Sequence, residues 1–152
     1  MSNAWYAPAV RASRKEPPDS LEFYPTPPWA TRALLEYVLA LEGELVAWEP
    51  ASGEGDMARP LGEYFHTVYR SDVFDYGRGG HVFDGLEPRP AHFERPDWII
   101  TIPPFKIAKA FAERALLEAT EGVAMFVRTQ WMESIERFHF FCSSTATDLG
   151  GF

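Results

Sequence analysis

Apolar residues along the chain alternate between short unbroken runs and stripes at helical spacing. The first stripe follows "FYPTPP": Ala30, Ala33, Leu34, Tyr37, Val38 and Leu41 recur every three or four positions, and Gly43 closes the segment. This predicts a helix with Pro27 or Pro28 in its first turn, where a missing N–H costs nothing. "LVAW" at 45–48 is wholly apolar, as in a strand buried on both faces. The glycine-containing turn "EPASGEGD" leads to a second helical stripe at Met57, Ala58, Leu61, Tyr64 and Phe65. "TVYRSDV" at 67–73 predicts a second strand that ends in an acid. Residues 74–96 are rich in Gly and Pro and predict loop, with at most a short strand near Val82. "DWIITI" at 97–102 predicts a third strand. Ala108, Phe111, Ala112, Ala115, Leu116 and Ala119 then mark a helix, and "GVAMFVR" at 122–128 a further buried strand. "MESIERFHFF" at 132–141 predicts a last helix.

Strands that are apolar on both faces, alternating with helices, predict a mostly parallel sheet with helices on both faces. Right-handed crossovers make this a Rossmann-like α/β fold. The chain of 152 residues suffices for one domain with a core and not for two. Residues 1–20, with "KEPPDS" at 15–20, read as a flexible arm, 21–141 as the domain, and 142–152 ("CSSTATDLGGF") as a loose tail without periodicity.

Composition removes several classes. A hydrophobic content of 46% excludes disorder throughout. No run approaches the roughly 18 apolar residues of a membrane span. "MSNAWYAPAVRAS" lacks the charged-then-apolar pattern of a signal peptide, so a cytoplasmic protein is expected. Cys142 is the only cysteine, which excludes a disulfide framework and a cysteine-based metal cluster. His66, His81, His92 and His139 show no metal-ligand spacing, and no metal is predicted. The net charge of −8 has the wrong sign for strong nonspecific duplex binding, although a local basic patch remains compatible with it. The oligomeric state stays open.

In open α/β sheets, ligands lie at the carboxyl ends of the strands. Four features from separate parts of the chain map to that edge. The first is "WEPASGEGD". Glu49 follows the strand, and Gly53 and Gly55 allow a tight turn and close approach to a ligand. There is no dinucleotide fingerprint and no P-loop. A glycine turn flanked by acids suits a ligand carrying a cation, such as the ammonium and sulfonium of S-adenosylmethionine. The same residues also suit an ordinary strand-to-helix turn. The second is Asp72, about 20 positions after Gly53 at the end of the next strand, placed to accept both hydroxyls of a ribose. Asp75 is a near alternative. The third is Asp84 in "FDGL", which either accepts from the amine of an adenine or is a surface turn residue. The fourth is "TIPPF" at 101–105, two prolines and an aromatic ring at a strand end. Arg128 and Gln130 could contact phosphate or base, or start a helix. Trp29, Trp48, Trp98 and Trp131 read as core or pocket wall.

"YPTPPWATRALLEYV", "WEPASGEGDMARPL", "SDVFDYG", "DWIITIPPF" and "GVAMFVRTQWME" together resemble, in order, the motifs of phage- or prophage-type DNA adenine methyltransferases. The resemblance runs from about Glu22 to about Phe140. It implies a Rossmann-like, class I methyltransferase that uses S-adenosyl-L-methionine and acts on adenine in DNA. It places Tyr24, Pro25 and Thr26 over the methionine end of the cofactor. Glu49, Ser52, Gly53 and Gly55 fall in the cofactor loop, with Ser52 where cysteine is often found. Asp72 matches the ribose acid and Asp84 the acid near the cofactor adenine. The family's catalytic tetrad is Asn or Asp, then Pro, Pro and an aromatic residue, which corresponds to Ile102, Pro103, Pro104 and Phe105. The family continues with two further strands and a hairpin that "CSSTATDLGGF" does not resemble. The resemblance thus implies a C-terminally truncated member, with the sheet incomplete at that edge.

Ile102 departs from the tetrad, and chemistry says why this matters. The lone pair of adenine's amino nitrogen is delocalised into the ring. Two acceptors on its hydrogens push it toward an attacking geometry. Ile102 offers no acceptor, and losing one positioned hydrogen bond typically costs about 10²–10³-fold in rate. Phe105 could still stack a base. Two other readings therefore stand beside the active enzyme. One is an inactive remnant that binds cofactor or nucleic acid. The other is a methyltransferase acting on a protein or small molecule.

Overall fold

The computed structural model describes residues 24–135 and 137. The expected arm at 1–20, the tail at 142–152, Cys142, His139 and half of the helix expected over 132–141 lie outside the described residues.

The element order is α1 (Pro28–Tyr37), β1 (Val46–Glu49), α2 (Ala58–Leu61), β2 (Thr67–Asp72), β3 (His81–Val82), β4 (Trp98–Thr101), α3 (Ala108–Glu118) and β5 (Gly122–Met125). Short 3-10 turns cover Phe105–Ile107 and Thr129–Glu133. The five strands form one sheet in the order β3-β2-β1-β4-β5, and every neighbouring pair is parallel. The chain starts at the central strand, moves out through β2 to β3, then crosses back to β4 and β5. The order reverses between β1 and β4, where a Rossmann-like sheet opens a crevice.

Side chains on a strand alternate between faces, and β1 shows what this does to burial. Ala47 joins Leu35, Met57, Leu61, Phe65 and Ile100 in the core beneath α1 and α2. Its neighbour Trp48 joins Phe93, Ile99 and Ala115 in the core on the other face, beneath α3. Both faces are covered, so all four residues of β1 are buried.

The helical stripes need two corrections. α1 ends at Tyr37 instead of reaching Gly43. The amides of Val38 and Leu39 both donate to Leu34 O, at 3.1 and 3.0 Å, and close the helix there. Its buried face is set by Thr31 and Leu35, which leaves Tyr37 and Val38 exposed. Leu39 and Leu41 instead reach the core from the irregular chain that follows. α2 is a single turn. Pro60 fits that turn because the first amides of a helix need no intrahelical acceptor. Met57, Ala58, Leu61 and Phe65 are nevertheless buried as the stripe predicts.

Candidate functional site

β1, β2 and β4 run parallel, so their carboxyl ends share one edge of the sheet. A cavity of about 280 Å³ opens there. Of the residues singled out from the sequence, Tyr24, Thr26, Glu49, Ser52, Gly53 and Asp72 line it, and so do Asp84, Ile102 and Pro104. Pro25, Gly55, Pro103 and Phe105 are not on its wall.

The turn after β1 is built against β2. Ser52 N–H donates to Ser71 O at 2.9 Å, and Gly53 N–H donates to Asp72 Oδ2 at 2.8 Å. Trp48 Nε1 donates to Ser71 Oγ at 3.0 Å from within the core. Gly55 has a φ of +82°, and a Cβ there would lie 2.4 Å from Arg70 Nη1. The positive φ is what favours glycine at 55, since the Arg70 guanidinium can move aside, and the residue is not on the cavity wall.

Glu49 ends β1 and is 3% exposed. Its Oε2 has no hydrogen-bond partner among the described residues. Burial pushes its carboxyl well above the usual carboxylate range, and the charge of Asp72 pushes the same way. Arg70, which pairs with Glu49 across the β1–β2 register, and a backbone hydrogen bond from Ala58 pull it back only in part. A buried carboxyl oxygen without a partner, on a residue that lines a cavity, is a place for a donor or a cation.

Asp84 holds a surface turn, as one of its two readings expects, and it also reaches the cavity. Its Oδ1 accepts from Leu86 N–H at 2.9 Å. Asp75 accepts from Gly77 N–H at 2.7 Å within its own loop and is not on the wall. The cavity thus separates Asp72 from its near alternative.

β4 stops before Ile102. Ile102 is half-buried, packs on the α1/α2 core and lines the cavity. Pro103 is fully buried, and Pro104 forms wall. The Phe105 ring lies 4.6 Å from the Tyr24 ring at 32°. The Arg128 guanidinium sits over the Phe105 ring, 4.8 Å from its centroid.

The sequence reading did not single out Tyr76, Leu86, Lys106, Ile107 and Phe111 as cavity residues, yet they line it. Phe111 lay in the stripe assigned to the core, and the cavity floor is continuous with that face. Tyr76 lies in the Gly-rich segment, whose path no periodicity predicts. Its hydroxyl is pushed up by burial and then by Asp72. Among the described residues no group of three or more His, Cys, Asp or Glu could hold a metal ion, and no helix is long and apolar enough to cross a membrane.

No family model matches the chain, and no curated protein matches it. The fold is similar to that of a chain in the crystal structure of a fibrillarin/Nop5p complex. The TM-score is 0.54 at 19% identity, over 79% of this chain and 71% of that one. The likeness is one of fold: this chain shares a Rossmann-like α/β architecture, a mostly parallel sheet with helices on both faces.

Proposed function

We propose that this protein binds S-adenosylmethionine in the cavity at the carboxyl edge of β1, β2 and β4, and that its chemistry is methyl transfer to the amino group of an adenine in DNA. The observation that carries the proposal is Glu49. It is a buried carboxyl without a partner for Oε2, on a cavity wall shared with Asp72 and the 52–53 turn. These residues fit a nucleoside that bears positive charge. Three aspartates, Asp56, Asp72 and Asp84, and the Glu49 carboxyl line the cavity together with one lysine, Lys106.

When bound, S-adenosylmethionine supplies a methyl group on a positively charged sulfur. In this reading Glu49 lies near the cofactor's charge, Asp72 accepts from the ribose, and Asp84 accepts from the cofactor adenine. Ser52, Gly53 and Gly55 shape the loop, and Tyr24, Pro25 and Thr26 close over its methionine end. Pro103, Pro104 and Phe105 place the target base, which must leave the duplex stack to reach them. A target amino group held there would take up the cofactor's methyl group and release its proton to solvent, and the residues of this chain would bind and orient the two partners. The Pro103 carbonyl is the remaining acceptor for the amine.

A second reading rests on Ile102. An apolar side chain packed on the core occupies the place where this chemistry calls for an acceptor. A chain of this kind would hold cofactor and DNA and transfer methyl groups slowly or not at all.

Calorimetric titration with S-adenosylmethionine tests the cofactor. Binding by the folded chain that is lost in Asp72→Ala supports the proposal, and no binding by the folded chain sinks it. Radiolabelled methyl transfer to adenine-containing DNA then separates the two readings.

A further inference from the structure

β5 has the sequence of an interior strand and the position of an edge. From Gly122 to Val127 the chain reads "GVAMFV", without a charge or a proline. β1 has a strand on each side and is buried at every residue. β5 ends the strand order, pairs with β4 alone among the described residues, and is half-buried at every residue. The opposite edge of the sheet differs. β3 has two residues, both exposed, and a very short strand is one way in which proteins keep an edge from pairing.

The ladder to β4 shows which backbone groups of β5 are left over. Phe126 N–H donates to Thr101 O at 3.0 Å. Backbone polar groups alternate between the two sides of a strand, so Val123, Met125 and Val127 turn their N–H and C=O away from β4. Among the described residues no strand meets them. Such a row is a template for a further strand. The ends of the run carry opposite charges. Glu121 precedes it, and Arg128, still in extended conformation, follows it. Both are exposed, and neither forms an ion pair among the described residues.

We propose that the outer edge of β5 is the docking surface for a second copy of this chain, the two β5 strands pairing antiparallel about a two-fold axis at Met125. The register follows from the backbone. Only residues that turn outward can exchange ladder bonds, so outward residues must oppose outward residues. Val123, Met125 and Val127 are all matched with one another only when Met125 lies on the axis. Met125 then opposes itself, and Val123 opposes Val127 of the other copy, so these cross-strand pairs are apolar. The same register brings Arg128 to the end where Glu121 of the other copy stands, opposite Gly122, which has no side chain to block it. This charge complementarity is what favours a second copy as the occupant. An uncharged run with an acid at one end and a cation at the other is complementary to its own reverse. A parallel arrangement would set like charge beside like. The antiparallel interface uses the same patch on both copies and closes at a dimer. All five strands of one copy run parallel, so the carboxyl edges of the two copies face opposite ways and each cavity stays open on its own side. The pairing does not depend on what the cavity binds.

The test uses the full chain. Sedimentation velocity over a concentration series should show a monomer–dimer equilibrium. Met125→Lys sets two like charges face to face on the axis and should raise the dissociation constant about tenfold or more. Tyr37→Lys, on the exposed face of α1, should leave it unchanged. Thermal melts establish that each variant is folded. Disulfide cross-linking in a Cys142→Ser background reads the register and does not depend on the lysine variant. Met125→Cys should link two copies. Glu121→Cys should not, because in the antiparallel pair it lies about 26 Å from its counterpart. Four results would each overturn the proposal. They are a chain that stays monomeric throughout the series, a dimer that folded Met125→Lys leaves intact, a dimer lost in Tyr37→Lys, and a dimer that Met125→Cys does not link.

Discussion

Asp72 Oδ2 accepts the Gly53 N–H at 2.8 Å, which ties the end of β2 to the turn that follows β1. Its other oxygen accepts from Phe74 N–H at 3.2 Å. One carboxylate thereby shapes two loops and still lines the cavity. Asp72→Ala removes both loop contacts and the acid proposed to hold a ribose. Hydrogen bonds to a charged group are worth about 1.5–3 kcal/mol. The affinity for S-adenosylmethionine should fall at least about tenfold, and calorimetry reads the change.

Ile102 lies between core and cavity, so its replacement has two opposite effects. Ile102→Asn gives up apolar packing against the α1/α2 core and should destabilise the fold by about 1–2 kcal/mol. It also introduces the missing acceptor. Methyl transfer to an adenine-containing oligonucleotide should rise about 10²–10³-fold. Radiolabel counting at saturating cofactor, with a thermal melt in parallel, reads both effects. Robust transfer by the unmodified chain would overturn this account of Ile102.

Glu49 makes stability depend on pH in an unusual direction. Its carboxyl is raised in the folded state, first by burial and then by Asp72. Above its ordinary value of 4.5 the folded state holds a proton that the unfolded state has released. The contribution is full below that value and is lost as pH rises toward the raised folded value, with a slope of at most about 1.4 kcal/mol per pH unit. Glu49→Gln should flatten this slope, which urea unfolding measured upward from pH 4.5 would show. If a cation enters beside Glu49, its binding releases the same proton, and affinity should increase with pH in the wild type but not in the variant.

Gly85 is packed where no side chain fits. A Cβ there would lie 2.6 Å from Pro50 Cβ, 2.8 Å from Pro50 O and 2.9 Å from Phe111 Cε1. Gly85→Ala should cost about 1–3 kcal/mol and lower Tm by about 2–4 °C per kcal/mol. Gly77, at φ +68° with nothing within 4 Å, isolates backbone strain from crowding, and Gly77→Ala should cost less. Calorimetric melts of the two variants check the ranking.

The strands were legible in the sequence because their signal is local, but burial was legible only in part. "GVAMFVR" predicts a buried strand, yet β5 lies at one end of the strand order and is half-buried at every residue. Trp29, expected in core or pocket wall, is exposed on α1. "LVAW" and "DWIITI" are buried on both sides, and only a covered parallel sheet does that to consecutive apolar residues. The acid at the end of β2 and the glycines after β1 are also local, since each is demanded by chain direction or by backbone conformation. The α1 boundary was not legible. Tyr37 and Val38 continue a plausible stripe, and the helix stops where Leu39 and Leu41 must reach a core assembled from distant strands.

The sequence by itself determined the alternation of strand and helix, the glycine turn, the acids at the strand ends and the apolar residue at 102. Each is a property of a few consecutive residues. The tertiary structure decided which of these residues face one another. It set Asp72 on the wall and left Asp75 off it, buried Glu49 without a partner for Oε2, and laid Arg128 across Phe105. These are relations between residues far apart in the chain, fixed by strand order and register, which spacing along one segment does not encode.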